Sequence, residues 1–253
     1  MPIAFSHSPG CMFLTDRTCD EMQVLANSNT YPETKVVCID EEEQVFSMIS
    51  LVNWNKLTDL EQFVIDDPGN RGVGKLIQPT DLHCAALSIS QSAKSVAIVT
   101  GFPCMPGNEP PIENDGISGA VAIAKAVQAL GKPVTFIVDR RDVNIFRQIV
   151  SHCVQTGILK HEVSVTALGD STKSILFDDL TEQARFSHLI GIERPGRTST
   201  GIYSTMGKVD ISHLCDPIDE LFIEGKFCFQ FFCSFIDEFK VHLRAKTKFT
   251  ELY

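Results

Sequence analysis

SVAIVTGFPCMPGNEPPIENDGISGAVAIAKAVQALGKPVTFIVD, residues 95–139, reads as strand, long turn-rich loop, helix and strand. Val96 to Val99 and Val134 to Val138 are short apolar runs, the pattern of strands buried on both faces in a parallel sheet. Between them Ile123, Val127 and Leu130 recur at helical spacing, with Ala120 and Ala124 on the same side. Small residues there let the helix lie close on the sheet. Gly131 ends the helix and Pro133 prevents its continuation. Two parallel strands joined by one helix make a right-handed βαβ unit. The expectation that follows is an α/β fold, an open and mostly parallel sheet with helices on both faces in a Rossmann-like three-layer arrangement.

The loop from Gly101 to Gly116 leaves the carboxyl end of the first strand and arrives at a helix N-terminus. In open α/β sheets that edge binds ligands, and helix N-terminal amides favour anions. Glu113 and Asp115 add two carboxylates, and Asp139 leaves the second strand at the same edge. The plainer reading gives Asp115 and Asp139 helix-capping roles; three carboxylates on one edge favour a site.

The chain has 253 residues, 43% of them apolar, and a formal net charge of -10. That length predicts one domain with a sizeable core. The negative charge and the lack of a basic stripe argue against nucleic acid as a partner. Nine cysteines, at 11, 19, 38, 84, 104, 153, 215, 228 and 233, include no CxxC pair, so reduced thiols are expected rather than a disulfide scaffold. No apolar run is long enough for a membrane span. The N-terminus shows neither a secretory nor an Arg-rich transit signal. As written, that places the chain in the cytoplasm.

Outward from the core, Val36 to Ile39 suits a short strand. Val45, Phe46, Ile49 and Val52 follow Glu41 to Glu43 at helical spacing, predicting a helix with a negative N-terminus. Leu57 to Ile65 extends as helix until Asp66-Asp67-Pro68-Gly69. GNRGVGKL, residues 69–76, nearly spells a phosphate-binding loop, but Leu76 stands where Ser or Thr would hold magnesium and no strand precedes it. Asn70 and Arg71 remain candidates for contacting a ligand. Leu82 to Ile89 is predicted helical. Beyond Asp139, Asp142 opens a helix that ends near Gly157. Glu162 to Leu168 suits a third strand, Phe177 to Phe186 a helix, and His188 to Ile192 a fourth strand. That strand ends in Glu193-Arg194-Pro195-Gly196-Arg197, which points to the same crevice. His152, His161, His188 and His213 show no ligand spacing, which disfavours a histidine metal site.

Taken together, Gly69-Asn70-Arg71-Gly72, Thr100-Gly101-Phe102-Pro103, Pro111 to Gly116, Val138-Asp139 and Glu193 to Arg197 resemble the C-terminal domain of the D-glutamate cyclase family. The likeness covers residues 40 to 222. It implies a lyase that converts D-glutamate to 5-oxo-D-proline and water, in the mitochondrial matrix. Residues 1–30 then resemble the end of a hydro-lyase-like domain with a linker, 31–222 a partial cyclase-like domain, and 223–253 a divergent tail. Thr200 stands where the family has aspartate, and Asn114 where it has threonine. A Gly-Asp-Gly-Gly-Asn-Glu motif and a further α/β half, expected after Phe222, do not follow. The sheet is therefore expected to be incomplete at its C-terminal side and the chain a truncated form, weak or inactive. The tail holds seven of the seventeen phenylalanines. It reads as a helix over a bare sheet edge, as a partner-binding face, or as an aggregation-prone segment, the last being favoured.

On this reading Glu113 and Asp115 are the catalytic acid–base pair, with Asp139 and Glu193 as alternatives, because a carboxylate beside another has its pKa raised. Arg71, Arg194 or Arg197 would clamp substrate carboxylates. Gly101 and Gly116 would let backbone amides reach a developing oxyanion. The carboxylates admit a divalent cation, although no spacing requires one. The expected partner is the small molecule D-glutamate, with no nucleic acid and no membrane; the oligomeric state is left open. The alternative reading is a non-catalytic α/β module that binds a nucleotide or an acidic metabolite.

Overall fold

A computed structural model describes residues 12–14, 34–40, 45–70, 72, 74, 77–168, 172–178, 180–181, 183–224, 231–236 and 240–245. The chain divides into two units, one running to Ser92 and taking in Leu243 onward, the other spanning Ala93–His242.

In the first unit, β1 (Met12–Leu14), β2 (Thr34–Asp40) and β3 (Val45–Ser50) form an antiparallel sheet in the order β1-β3-β2. The helix expected from Val45 is therefore a strand as far as Ser50, and α1 begins only at Leu51 and ends at Ile65. Val45, Phe46 and Ile49 are β-branched or aromatic, and a place between two partner strands outweighs their helical spacing. Ser50 caps α1, its hydroxyl accepting the Asn53 N–H at 3.3 Å. Buried Glu61 accepts the N–H groups of Thr80 (3.0 Å) and Leu82 (3.1 Å), satisfying free amides at the start of α2 (Asp81–Leu87). A π turn, Ser88–Ser92, follows. The glycine-rich stretch follows a helix rather than a strand, and a Cβ on Gly74 would stand 2.2 Å from the Ile65 carbonyl oxygen. That is not phosphate-loop context. Arg71, Lys75 and Leu76 lie outside the described residues.

The second unit carries the parallel sheet. Its elements are β4 (Val96–Thr100), α3 (Asp115–Ala129), β5 (Val134–Val138), α4 (Val143–Gln155), β6 (Ser164–Ala167), α5 (Thr172–Leu176), β7 (His188–Ile192), α6 (Glu220–Glu224), β8 (Phe231–Ile236) and the first half of β9 (Lys240–Ala245), the unit ending at His242. The strand order is β6-β5-β4-β7-β8-β9, with β4–β5, β5–β6, β4–β7 and β7–β8 all parallel. Every residue of β4 is buried, so both faces of this strand are covered. On one face Ala97, Val99, Ile137 and Leu189 pack with Ile175, Leu176, Leu221 and Phe222 from α5 and α6. On the other, Phe136 meets Phe146 of α4 edge-on at 6.1 Å, and α3 buries Ala120, Ala124 and Val127. Gly131 (φ +74°) closes α3: its N–H reaches Gln128 O and the Lys132 N–H reaches Val127 O, a Schellman ending.

Two expectations change here. The segment 177–186 is not a helix; α5 lies just before it, and Phe177 then bridges Ala184 antiparallel. Asp178 is the reason, since its carboxylate accepts the N–H groups of Leu180 and Thr181 and the Thr181 hydroxyl, a local turn that competes with helix. In the tail, Phe231–Ile236 and Lys240–Ala245 are strands, so the covering helix, one of the three readings and not the favoured one, does not hold for these residues. An aromatic run with strong β-propensity extends the edge of β7, placing Phe231 opposite His188.

Candidate functional site

From β4 the chain steps through β5 to β6 on one side, whereas β7 lies on the other side of β4. The loops leaving β4 and β7 therefore part at their carboxyl ends, and such a switch point is where open α/β sheets hold ligands. The loop after β4 folds back on itself, the Phe102 carbonyl accepting both the Cys104 and the Glu113 N–H groups. Phe102 is anchored with Tyr203 and Ile211 in a small apolar cluster that Cys104, Leu214 and Cys215 flank. Cys104 and Glu113 are thus brought together, and the Cys104 thiol donates to Glu113 Oε2 at 3.0 Å. Burial, followed by that carboxylate, pushes the Cys104 thiol up to about 11.

Glu113, Asp115 and Glu193 each place an oxygen within 4.8 Å of the other two. Asp115 opens α3, and its Oδ1 accepts the Gly116 N–H at 2.9 Å, so part of the capping reading holds. Glu193 ends β7 in the left-handed region (φ +45°), a turn that carries its side chain to the switch point. Gly116 leaves room for it: a Cβ there would stand 2.6 Å from Glu193 Cβ.

Asp139 and Arg194 form a second, buried arrangement. Arg194 donates from Nη1 to Asp139 Oδ2 and from Nη2 to Asp139 Oδ1 (2.9 Å). The same guanidinium donates to the carbonyls of Gly101 (3.1 Å) and Asp216 (2.8 Å), and Asp139 Oδ1 also accepts the Asp216 N–H. Burial works against the charge on Arg194, and Asp139 more than offsets it, so the guanidinium is held firmly protonated. Asp139 makes no side-chain cap. These two residues lash the ends of β5 and β7 to the Gly101 turn, whose φ of +108° requires glycine.

Arg197 makes a third group. Its Nε donates to Asp219 Oδ2 (3.0 Å) and its Nη1 to Glu220 Oε1 (2.9 Å), while the Tyr203 hydroxyl donates to Asp219 Oδ1. Burial and Asp219 hold the Tyr203 phenol well above its usual range, so it stays protonated. A cavity of about 380 Å³ opens beside Asp139, with Arg141, His213, Cys215 and Asp216 on its walls. Burial drives the Cys215 thiol up to about 12.

Of the residues singled out in the sequence, Glu113, Asp115, Gly116 and Glu193 meet at the switch point. Gly101, Asp139 and Arg194 form the buried lashing, and Arg197 binds Asp219 and Glu220. Asn70 belongs to the first unit, exposed with φ +50°, and Arg71 lies outside the described residues. Sequence reasoning passed over Cys104, Tyr203, Asp219 and Thr100. Only Thr100 carried a signal, as a polar residue closing an apolar strand run at the ligand edge.

A family model described as D-glutamate cyclase-like, C-terminal, matches residues 60–228. The chain belongs to the D-glutamate cyclase-like family. The mitochondrial D-glutamate cyclase of Homo sapiens is 38% identical over 231 residues, which cover 89% of this chain and 37% of that protein. The chain thus matches little more than a third of its relative's length.

Proposed function

We propose that this member of the family is a D-glutamate cyclase-like lyase, taking D-glutamate to 5-oxo-D-proline and water in the mitochondrion, where its human relative is named. What supports the reading is the convergence of Glu113, Asp115 and Glu193 within 4.8 Å at the switch point of the sheet, inside the stretch that the family model matches. Cyclisation forms a bond between the α-nitrogen and the side-chain carboxyl carbon and breaks one C–O bond. The ammonium must first lose a proton, the attacking amine then loses another, and the departing oxygen gains what it needs to leave as water. Closely spaced carboxylates suit both transfers, one accepting from nitrogen while a protonated neighbour donates to oxygen. In this reading Glu113 and Asp115 act on nitrogen and Glu193 on the leaving oxygen. Arg197, with 30% of its side chain exposed, orients the α-carboxylate. Asp139 and Arg194 act as positioning residues, holding the Gly101 turn.

The test is to incubate the purified chain with D-glutamate and separate the products on a chiral column. 5-Oxo-D-proline above the buffer rate, abolished in Glu113→Gln and Glu193→Gln, supports the assignment. No product above buffer ends it for this chain.

A further inference from the structure

The cavity beside Asp139 is walled by two short 3₁₀ turns, Arg140–Asp142 after β5 and Ser212–Leu214, and none of Glu113, Asp115, Glu193 and Arg197 lines it. Arg141, on its wall, is locked in place. Its Nε and Nη2 donate to the two oxygens of Asp142 (3.1 and 3.3 Å), and Nη2 also stands 3.5 Å from Asp139 Oδ2. Both aspartates are almost fully buried, so they hold the guanidinium plane at a fixed angle. Its Nη1 has no partner among the described residues. Arg140 is less constrained. Its Nη2 donates to the Leu168 carbonyl at 3.2 Å, and among the described residues no carboxylate pairs with its guanidinium. His213, exposed on the facing turn, makes no hydrogen bond among the described residues. The acids on the walls are already engaged: Asp139 by Arg194, and Asp216 Oδ2 by the Arg140 N–H. The cavity is therefore close to neutral, and what it offers is a set of unused N–H donors converging from two turns.

We propose that this cavity binds a small organic anion, its carboxylate or phosphate group bonded by Arg140 and Arg141, with His213 donating from the other side. A guanidinium presents its N–H groups in a planar fork that matches the paired oxygens of either group. Arg141 brings that fork preset by two buried carboxylates, which spares the ligand the cost of ordering it. Arg140 brings a charge that no described carboxylate answers. The volume, about 380 Å³, lies at the lower end of the range for small-molecule sites and admits more than the anionic group alone. Leu214 and the Cys215 thiol, held protonated with its pKa pushed up to about 12, give the rest of the molecule an uncharged wall. The site goes beyond the lyase reading and does not rest on it, since its evidence is the cavity and the donors around it.

The experiment is a nuclear magnetic resonance titration of the ¹⁵N-labelled full chain with inorganic phosphate and, separately, with succinate, at an ionic strength held constant with chloride. Saturable shifts are expected in the amide signals of residues 140–143 and 213–216, with a dissociation constant of about 1 mM or tighter. The probe that binds more tightly identifies the anionic group. Arg140→Gln should weaken binding by about tenfold and His213→Gln by a smaller factor. Lys125→Gln, which removes an exposed cation from α3, should change nothing. Circular dichroism identifies any variant that has not folded; Arg140 and His213 are both exposed, and either one alone decides the matter. The absence of saturable shifts at about 20 mM of both probes overturns the proposal, as does binding that survives Arg140→Gln and His213→Gln together. Binding that is lost in Arg197→Gln but kept in Arg140→Gln would put the anion at the lyase site and overturn it as well.

Discussion

Arg194 grips Asp139 with both terminal guanidinium nitrogens, and both side chains are almost fully removed from water. The pair spans the ends of two strands that are not neighbours, since β4 lies between them. Removing that guanidinium leaves the buried carboxylate with only the longer Arg141 contact at 3.5 Å and the Asp216 N–H. Arg194→Ala should therefore destabilise the chain by about 3–5 kcal/mol in urea denaturation. Arg194→Lys should restore little, because an ammonium cannot reproduce the two-pronged contact. Adding Asp139→Asn to Arg194→Ala should recover part of the loss; if it recovers none, the pair is not the source of the stability.

Gly116 makes a sharper prediction about the switch point. A methyl group there overlaps the stem of Glu193 at 2.6 Å and crowds the Thr100 hydroxyl at 3.2 Å, so either α3 or the β7 turn must shift. Gly116→Ala should cost about 1–3 kcal/mol despite its better helix propensity. That corresponds to a fall in melting temperature of several degrees, about 2–4 °C per kcal/mol for a chain of this size. Gly107→Ala, where an added Cβ meets nothing, is the control and should leave the melting temperature nearly unchanged.

His188 gives the fold a pH dependence. It is buried in β7, and burial, then Lys132, brings its imidazole down to about 4. The unfolded chain, with an ordinary histidine near 6.5, binds more protons in the interval between, so stability from this residue is complete above about pH 6.5 and lost as pH falls toward 4. The full loss is about 3 kcal/mol. Asp81 acts the other way, its carboxyl pushed up to about 6 mainly by burial, so the folded chain gains stability there as pH falls. Comparing wild type with His188→Leu between pH 7 and 4 isolates the histidine. Parallel denaturation midpoints across that range would show that His188 contributes nothing.

Cys104 should react slowly despite its place at the site. With its thiol pushed up to about 11 and donating to Glu113, little thiolate exists near neutrality. Its alkylation by iodoacetamide, followed by peptide mass spectrometry, should rise about tenfold per pH unit from pH 8 to 9.5 without levelling off. A plateau near pH 8.5 would mean that the carboxylate does not hold the thiol proton.

The βαβ heart of the fold was legible because its signals are local. Runs such as Val96–Val99 and Val134–Val138, the alanines of α3 and the stop at Gly131 each act within a few residues. Phe177–Phe186 and Val45–Ile49 misled for the complementary reason. Asp178 captures nearby amides that a helix would need, and β3 gains two neighbouring strands that its own periodicity does not encode.

The amino-acid order alone determined which carboxylates leave the strand ends, since alternating strands and helices deliver their loops to one rim. Only tertiary structure divided those residues into different duties. Parallel pairing on both sides of β4 brought Glu193 to Glu113 and Asp115, while burial drew Asp139 onto Arg194, because a charge taken out of water has to find its opposite.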